Sequence, residues 1–381
     1  MEPQPGQGRR RPRLHFTPRI GWLGDPHGVV PADGRYHLYY QHHPASTAWD
    51  PAVVWGHATS RDLVLWVEEP VALAPEPGEV GCWSGSVVAG PDGPTLFYTR
   101  VATGEPATGQ VARAVGHDYA AWRRDPPASV ITGPPPGVGE MRDPSVRAVP
   151  DGWRMVLGGR LESGAAAALQ YSSADTRTWA YDGVLVTGPD TMWECPQFFE
   201  LDGVWVLIVS ARHGVRYALG DYDGRAFIAR SWGEFGRGQI YATTTFRDAE
   251  GRRCAISWLR ERDDRPPDGS PWSGALSLPW VLSVRDGRLL AAPHPHLDHY
   301  LVDGGSSLRV AGGRLLDGDD TLLDLPPGGE VTAIVDADLV EVAVEGVSGI
   351  AAVRRRDDGA AGVRLMRFAS SHGTSARTAR R

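Results

Sequence analysis

The chain has 381 residues, of which 41% are hydrophobic and 22% are charged, a balance ordinary for a globular protein with a sizeable core. Its formal net charge of −7 argues against a nucleic-acid partner, because phosphate binding needs a basic face. The 47 glycines and 31 prolines favour many turns and short strands over long helices.

The cysteines and the N-terminal sequence give expectations about the compartment. Three cysteines, Cys82, Cys195 and Cys254, cannot form a disulfide framework and suit a reducing environment. The N-terminal sequence MEPQPGQGRRRPRLHF has basic residues without an apolar stretch after them, which is unlike a secretory signal. Nowhere does an apolar run approach the roughly eighteen residues of a membrane span. We therefore expect a cytoplasmic protein with no membrane partner.

Strand-like segments dominate from the N-terminus onwards. Each is short, rich in β-branched or aromatic residues and bounded by turn residues; examples are 36–41, 86–89, 95–99, 153–157, 204–210 and 254–258. Asp-Gly turns at 32–34, 91–93, 150–152 and 201–203 each precede a strand that begins a new hairpin. The hairpins recur about every 50 to 60 residues, which is the spacing of propeller blades. The pattern predicts an all-β fold with a five-bladed β-propeller, and a β-sandwich or a pair of them is the alternative.

The amino-acid composition of the sequence changes near residue 300. Aromatic residues become fewer, and 331–346 alternates as a pair of strands does. We predict a disordered tail over 1–13, the propeller over 14–297, a short, trimmed C-terminal β-sandwich-like unit over 298–368, and a disordered basic tail over 369–381.

Three acidic motifs follow one another along the predicted propeller. Asp25 lies in WLGDPHG, Asp143 in RDP and Glu194 in WECP. Proline fixes its own φ and keeps the residue before it extended, so each segment is held rigid. Rigid paired carboxylates are what glycoside hydrolysis needs. Taken singly, an Asp-Pro turn or an Arg-Asp-Pro surface ion pair is more often structural.

Taken together, the motifs resemble those of family 32 of the glycoside hydrolases, the invertases, levanases and fructan exohydrolases. The resemblance extends from about residue 14 to about residue 297. Further matching segments are Tyr39-Tyr40-Gln41, Trp49, WGHATS at 55–60, Ser84-Gly85-Ser86, GDYD at 220–223, Tyr241-Ala242 and Trp272-Ser273-Gly274.

The resemblance implies a retaining enzyme that releases terminal β-D-fructofuranosyl units from sucrose or short fructans without a metal or cofactor. Asp25 would be the nucleophile, and Glu194 the general acid and then the general base. Asp143 would stabilise the transition state, with Arg142 orienting it. Repulsion from the two aspartates is expected to keep the Glu194 proton in place near neutral pH. The remaining residues expected to bind the sugar are Trp22, Gln41, Trp49, Trp83 and Ser84.

Several residues depart from the family pattern. Gly24 and His27 stand where the family has asparagine, and Trp280 stands where it usually has arginine. His27 is expected to donate a hydrogen bond and to carry a pH-dependent charge. The departures keep two alternatives open, a fructosyltransferase and a catalytically weak fructan-binding protein. Related five-bladed enzymes acting on arabinosides or xylosides are a more distant alternative.

The histidine clusters raise the question of a metal site. His42-His43 and the group His294, His296 and His299 have no carboxylate or cysteine at a convincing ligand spacing in the sequence. We therefore predict no metal site, and the oligomeric state stays open.

Overall fold

The computed structural model describes residues 9–104, 109–124, 126, 128–267, 269–303, 307–355 and 363–369. Within them the fold is nearly all β, with two short 3-10 turns at Arg262–Asp264 and Pro295–His299. Neither these turns nor any other described segment forms a helix long and apolar enough to cross a membrane.

Five antiparallel sheets, blades I to V, follow one another along the chain. Blade I contains β1 (Gly21–Ala32), β2 (Arg35–His43), β3 (Val54–Ser60) and β4 (Trp66–Leu73). Blade II contains β5 (Glu79–Gly90), β6 (Gly93–Ala102), β7 (Gln110–Gly116) and β8 (Trp122–Arg124). Blade III contains β9 (Val138–Val149), β10 (Gly152–Leu161), β11 (Ala166–Ser173) and β12 (Ala180–Gly188).

The last two blades complete the series. Blade IV contains β13 (Glu194–Leu201), β14 (Val204–Ala211), β15 (Gly214–Tyr222) and β16 (Phe227–Gly238). Blade V contains β17 (Ile240–Arg247), β18 (Arg253–Leu259), β21 (Trp280–Arg285) and β22 (Arg288–Pro293). Two strands of two residues lie between β18 and β21 in the sequence. Of these, β19 (Trp272–Ser273) pairs with blade I and β20 (Ala275–Leu276) pairs with β18.

The first strands of the five blades form a closed ring. β1 contacts β5, β5 contacts β9, β9 contacts β13, β13 contacts β17, and β17 returns to β1. A closed ring of four-stranded sheets is a five-bladed β-propeller. The predicted fold class is therefore confirmed, and the sandwich alternative for this part of the chain is wrong.

The Asp-Gly turns lie where the sequence predicted them, between the first two strands of blades I to IV. At 33–34 and 202–203 both central residues have positive φ, from 50° to 76°. This is the geometry that makes Asp-Gly a favourable hairpin turn. Blade V makes the corresponding connection with a different sequence, in which Asp248 accepts hydrogen bonds from the backbone N–H groups of Glu250 and Arg252.

Strand β19, from the segment between β18 and β21, adds to blade I beside the N-terminal end of β1. Its residues pair in parallel with the start of β1, Trp272 opposite Gly21 and Ser273 opposite Trp22. Gly274 follows with φ of 78°, and a Cβ atom there would lie 2.1 Å from the carbonyl oxygen of Leu23. Only glycine allows the two backbones to come this close.

The C-terminal unit consists of two small sheets that enclose a separate apolar core. Its strands are β23 (Val302–Asp303), β24 (Leu308–Ala311), β25 (Arg314–Asp317), β26 (Asp320–Asp324), β27 (Val331–Asp336), β28 (Leu339–Val344), β29 (Ile350–Arg354) and β30 (Arg364–Phe368). Leu308 and Leu315 of the β24–β26 sheet pack in one cluster with Val331 and Val340 of the other sheet. The predicted strand pair in 331–346 is confirmed as β27 and β28. The unit has the expected sandwich-like form, and its boundary at 297/298 stays a prediction.

Backbone pairing joins this unit to the propeller. β29 pairs in parallel with the end of β16, Gly236 opposite Ile350 and Gly238 opposite Ala352. Blade IV and the larger C-terminal sheet therefore form one continuous sheet of nine strands.

The prediction of a disordered tail over 1–13 is wrong for residues 9–13. The Arg9 side chain is 3% exposed, forms ion pairs with Glu261 and Asp338, and lies 4.0 Å over the Trp272 ring. Two carboxylates and an aromatic face provide the partners that a buried guanidinium requires. Residues 1–8, and 370–381 of the predicted basic tail, lie outside the described residues.

His15 connects the N-terminal segment to the C-terminal unit. Its Nδ1 lies 2.9 Å from Asp336 Oδ2 and its Nε2 lies 2.8 Å from Glu341 Oε1. Burial disfavours the charged imidazole, but the hydrogen bonds to the two carboxylates outweigh burial and raise the pKa of His15 to about 9. His15 is therefore a cation in the folded protein at neutral pH.

The charge on His15 is expected to make stability depend on pH. Because its pKa is raised on folding, the stabilisation is fully present below about pH 6.5 and is lost as the pH rises through about 9. We expect His15→Gln to lower the free energy of unfolding by about 3 kcal/mol at pH 6 and by much less above pH 9. Urea unfolding at both pH values measures this, with the exposed His213→Gln as control. A difference of the same size at both pH values would contradict the prediction.

Candidate active site

A cleft of about 360 Å³ opens at one end of the propeller. Each blade contributes a polar side chain from the N-terminal half of its first strand. These residues are Asp25, Ser84, Asp143, Glu194 and Tyr241. The ring of first strands thus brings together residues that are far apart in the sequence.

The structure places all the predicted site residues at this cleft. Eight of them line it, namely Trp22, Asp25, Gln41, Trp49, Trp83, Arg142, Asp143 and Glu194. The ninth, Ser84, lies behind Asp25 and donates a hydrogen bond to its carboxylate. Tyr241 and Trp258 also line the cleft, and no role in the site was predicted for either of them.

Asp25 is held by a chain of hydrogen bonds. Ser84 Oγ donates to Asp25 Oδ2 at 2.7 Å, and Gln41 Nε2 donates to Ser84 Oγ at 2.6 Å. Because the Ser84 hydroxyl receives its hydrogen bond from Gln41, its own proton is free to point at Asp25. These two hydrogen bonds hold the Oδ2 atom of Asp25 in one position.

Asp143 occupies an unusual backbone conformation. Its φ is 60°, and that of Cys195 is 48°, both in the left-handed region that non-glycine residues seldom adopt. The Asp143 N–H donates to Thr99 Oγ1 at 2.8 Å, and Asp143 Oδ2 accepts from the Cys195 N–H at 2.8 Å. These two hydrogen bonds link blades II, III and IV and hold the strained segments in place.

Cys195 contributes more than packing. Its Sγ lies 3.5 Å from Asp25 Oδ2 and 3.7 Å from Asp143 Oδ2. Burial, together with the negative charges of Asp25, Asp143 and Glu194, raises the pKa of the Cys195 thiol well above its usual value. It therefore stays a protonated, weak hydrogen-bond donor between the two aspartates.

The two aspartates have raised pKa values. For Asp25, burial and then the charge of Glu194 outweigh the hydrogen bond from Ser84, and its pKa rises to about 6. For Asp143, burial and the charge of Glu194 raise the pKa to about 7, although Arg142 opposes the increase. The sequence placed the retained proton on Glu194. The two aspartates are the more deeply buried carboxyl groups of the site, and burial is the main cause of their raised pKa values.

Glu194 is partly exposed and is held from two sides. Arg142 Nη1 donates to its Oε1 at 3.1 Å, and the Tyr241 hydroxyl donates to its Oε2 at 2.6 Å. Arg142 also pairs with Glu140, which in turn pairs with Arg160. Arg142 therefore orients Glu194 directly, whereas the sequence expected it to orient Asp143.

Aromatic rings form the walls of the cleft. Trp49 and Trp83 meet edge to face at 6.0 Å, and Trp22 and Trp258 do so at 5.3 Å. Such faces suit the C–H surfaces of a sugar. A Cβ atom at Gly24 would lie 2.1 Å from Cη2 of Trp22, so the glycine is what lets this indole take its position.

The other two departures from the family pattern have structural explanations. His27 is buried against Trp55, with ring centroids 3.9 Å apart, and burial lowers its pKa to about 3. The expectation of a pH-dependent charge on His27 is therefore wrong near neutral pH. Trp280 donates from Nε1 to Glu341 at 2.7 Å, which ties blade V to the C-terminal unit.

One histidine is close to a carboxylate and a cysteine after all. Asp248, Cys254 and His294 place ligand atoms within 4.8 Å of one another, an arrangement that sequence spacing did not reveal. His294 Nε2 lies 3.1 Å from Asp248 Oδ2, and Arg252 Nε donates to the same oxygen at 2.5 Å. The arginine already balances the Asp248 charge, and we interpret Asp248 and His294 as a hydrogen-bonded pair that joins the ends of β17 and β22.

The fold and the cleft together define the class of protein, a propeller of the glycoside hydrolase type. A comparison with family models matches residues 15–293 to the glycosyl hydrolases family 32 N-terminal domain. The chain belongs to this family.

Similar proteins include sucrose-6-phosphate hydrolase of Escherichia coli, which is 33% identical over an alignment of 309 residues that covers 74% of this chain and 64% of that protein. Levanase of Bacillus subtilis is 34% identical over 320 residues, 72% of this chain and 45% of the levanase. The chain thus spans less than two thirds of the length of these two relatives.

Solved structures share the fold. Sucrose-6-phosphate hydrolase of Lactobacillus gasseri superposes with a TM-score of 0.78 at 21% identity, covering 94% of this chain and 90% of that one. The Bombyx mori GH32 β-fructofuranosidase BmSUC1 has a TM-score of 0.76 at 22% identity, covering 95% and 94%.

Proposed function

We propose that this protein is a retaining β-fructosidase that hydrolyses terminal β-D-fructofuranosyl units from sucrose or short fructans. The observation that carries the proposal is the meeting of Asp25, Asp143 and Glu194 in one aromatic-walled cleft. The names of the relatives above, which act on sucrose phosphate or levan, support this substrate class.

In the first step, an Asp25 carboxylate oxygen attacks the anomeric carbon of the fructosyl unit. The glycosidic bond breaks, and Glu194 gives its proton to the departing oxygen. Asp143 accepts hydrogen bonds from fructosyl hydroxyls as positive charge develops on the ring. The hydrogen bonds from Arg142 and Tyr241 hold Glu194 so that its proton is directed at the bond being broken.

In the second step, Glu194 is a carboxylate and removes a proton from water. The water oxygen attacks the anomeric carbon, and the ester bond to Asp25 breaks. Two inversions give net retention of configuration. Arg142 stabilises the Glu194 carboxylate during this stage.

Sugar release from sucrose tests the proposal. We expect glucose and fructose in equal amounts, with the β-anomer of fructofuranose appearing first in NMR spectra. Glucose in excess over fructose would instead favour the fructosyltransferase alternative. Sucrose binding without turnover would favour the fructan-binding alternative and contradict the proposal. A cytoplasmic location stays part of the proposal, supported by three free cysteines.

The pKa of Asp25 predicts the acidic side of the pH profile. Because the nucleophile Asp25 and the charge-stabilising Asp143 must both be ionised, kcat/KM is expected to fall as the pH drops from about 7 through about 6. The Ser84 hydrogen bond holds the pKa of Asp25 down, so Ser84→Ala should shift the fall to higher pH by about one unit. Profiles of kcat/KM between pH 4 and 8 measure the shift. The exposed Ser231→Ala is the control, and superimposable profiles for Ser84→Ala and wild type would contradict the prediction.

A further inference from the structure

Four charged side chains of alternating sign form a line that leads away from the cleft. Arg142 Nη1 donates a hydrogen bond to Glu194 Oε1 at 3.1 Å, and Arg142 Nη2 forms an ion pair with Glu140 Oε2. The other oxygen of Glu140 pairs with Arg160. Arg142 and Glu194 line the cleft, whereas Glu140 and Arg160 lie behind them. Glu140 is therefore connected to the general acid through one shared arginine.

The register of blade III places Glu140 between the two arginines. Glu140 lies directly opposite Arg160 in the antiparallel pair of β9 and β10, and two residues before Arg142 on β9. All three side chains therefore share one face of the sheet, and the intervening Met141 is buried in the core on the other face. The hydrogen bond from Arg160 and the charges of both arginines outweigh burial and lower the pKa of Glu140. Glu140 is therefore an anion at neutral pH.

The two steps of the proposed mechanism place opposite demands on Arg142. In the first step Glu194 carries a proton, and an adjacent guanidinium favours the loss of that proton. In the second step Glu194 is a carboxylate, which the same guanidinium stabilises. Glu140 supplies Arg142 with a second anionic partner that stays ionised while Glu194 is neutral. The arginine can therefore hold Glu194 in place during both steps.

The other titratable groups that face Glu194 come from four strands. They are Asp25 on β1, Asp143 on β9, Cys195 on β13 and Tyr241 on β17. The two aspartates repel the charge of Glu194 directly, and Tyr241 donates a hydrogen bond to it. Arg142, by contrast, forms ion pairs with both Glu140 and Glu194. The effect of Glu140 on Glu194 is thus separable from that of the cleft carboxylates.

We propose that Glu140 is a positioning residue that acts on the general acid through Arg142, and that Arg160 holds Glu140 in place. This inference rests on the proposed β-fructosidase function and deepens it. Glu140 fixes one terminal nitrogen of the guanidinium whose other terminal nitrogen holds Glu194, and the guanidinium carbon lies 5.5 Å from the centroid of the Trp83 ring. A planar guanidinium fixed at both ends keeps the Glu194 proton directed at the departing oxygen.

Two fructosides that differ in their need for an acid test the proposal with the whole chain. Sucrose needs protonation of its leaving group, whereas a fructoside of an acidic phenol needs little. We expect Glu140→Gln to lower kcat/KM at pH 7 by about tenfold for sucrose and by less than about twofold for the aryl fructoside. Glu162→Gln, at an exposed position just after β10, is the charge-matched control. Equal losses on both substrates would overturn the proposal, because Glu140 would then only support its strand.

The two residues behind the cleft should shift the pH dependence in opposite directions. Without the charge of Glu140, Arg142 favours the ionised form of Glu194 more strongly, so the pH optimum on sucrose should fall by about half a unit. In Arg160→Gln the Glu140 carboxylate balances Arg142 more fully, and the optimum should rise. Arg160→Lys should restore part of the wild-type profile. Shifts in one direction for both variants, or a Glu140→Gln profile that superimposes on that of Glu162→Gln, would overturn the proposal.

A titration that needs no turnover separates this inference from the proposed function. Carbon NMR of protein labelled at the glutamate carboxyl groups follows Glu194, whose signal is assigned by its loss in Glu194→Gln. The titration midpoint of this signal should fall in Glu140→Gln and rise in Arg160→Gln. If wild type cleaves no fructoside, the proposed function fails, and the midpoints still decide the inference. Midpoints equal to that of wild type would overturn it.

Discussion

Replacing Asp25 with asparagine is expected to lower kcat for sucrose hydrolysis by about 10⁴-fold or more. Asparagine keeps the shape of the side chain and can accept the Ser84 hydrogen bond, but its amide cannot form the covalent fructosyl ester. The loss should appear in kcat, because the aromatic walls and Asp143 remain to bind the substrate. Initial rates of fructose release over a range of sucrose concentrations measure both kcat and KM.

The Asp25→Asn variant should also be folded and at least as stable as wild type at neutral pH. In wild type the charge of Asp25 helps to raise the pKa of Asp143. Removing that charge relieves the repulsion between two buried carboxyl groups. Asp319→Asn is the matched control, since that side chain is fully exposed in the C-terminal unit. Near-normal activity of a folded Asp25→Asn protein would end the assignment of the nucleophile.

Replacing Glu194 with alanine is expected to lower kcat on sucrose by about 10² to 10⁴-fold, because both the proton donor and the base are removed. A fructoside with an acidic phenol as leaving group needs little protonation, so its first step should be affected far less. The covalent fructosyl-enzyme should then accumulate, and mass spectrometry of the quenched protein should detect it on Asp25.

Azide separates the two roles of Glu194. As an anionic nucleophile it needs no base, and the space left by the alanine admits it next to the anomeric carbon. We expect azide to restore turnover of the aryl fructoside in Glu194→Ala and to have no effect on Asp25→Asn. Glu200→Ala, an exposed position on the same strand β13, serves as control. Failure of azide to restore any turnover, with no trapped intermediate, would contradict the acid/base role.

The three carboxylates were predicted through the resemblance of their motifs to family 32, since each motif taken singly is more often structural. The strands were predicted correctly wherever β-branched and aromatic residues lie between Asp-Gly turns. Local rules suffice for the strands, because hairpin turns and strand composition depend on residues adjacent in sequence.

The missed features depend on packing between distant segments. Tyr241 was part of a matched segment, but only the convergence of β13 and β17 shows that its hydroxyl holds Glu194. The ion pairs of Arg9 require residues more than 250 positions away, so the basic N-terminal sequence resembled a solvated tail. The location of the raised pKa values depends on relative burial within the carboxylate cluster, and sequence spacing carries no information about burial of this kind.

The pairing of β19 with β1 has a consequence for how the protein is made. Strand β1 leaves the ribosome before the other strands of the propeller, yet its edge at Gly21 and Trp22 stays unpaired until residues 272–273 have been synthesised. Unpaired strand edges invite association with other chains. A nascent chain would therefore keep the start of the strand that carries its nucleophile unpaired while blades I to IV are made, and premature termination before β19 would yield a product that is both inactive and prone to aggregate.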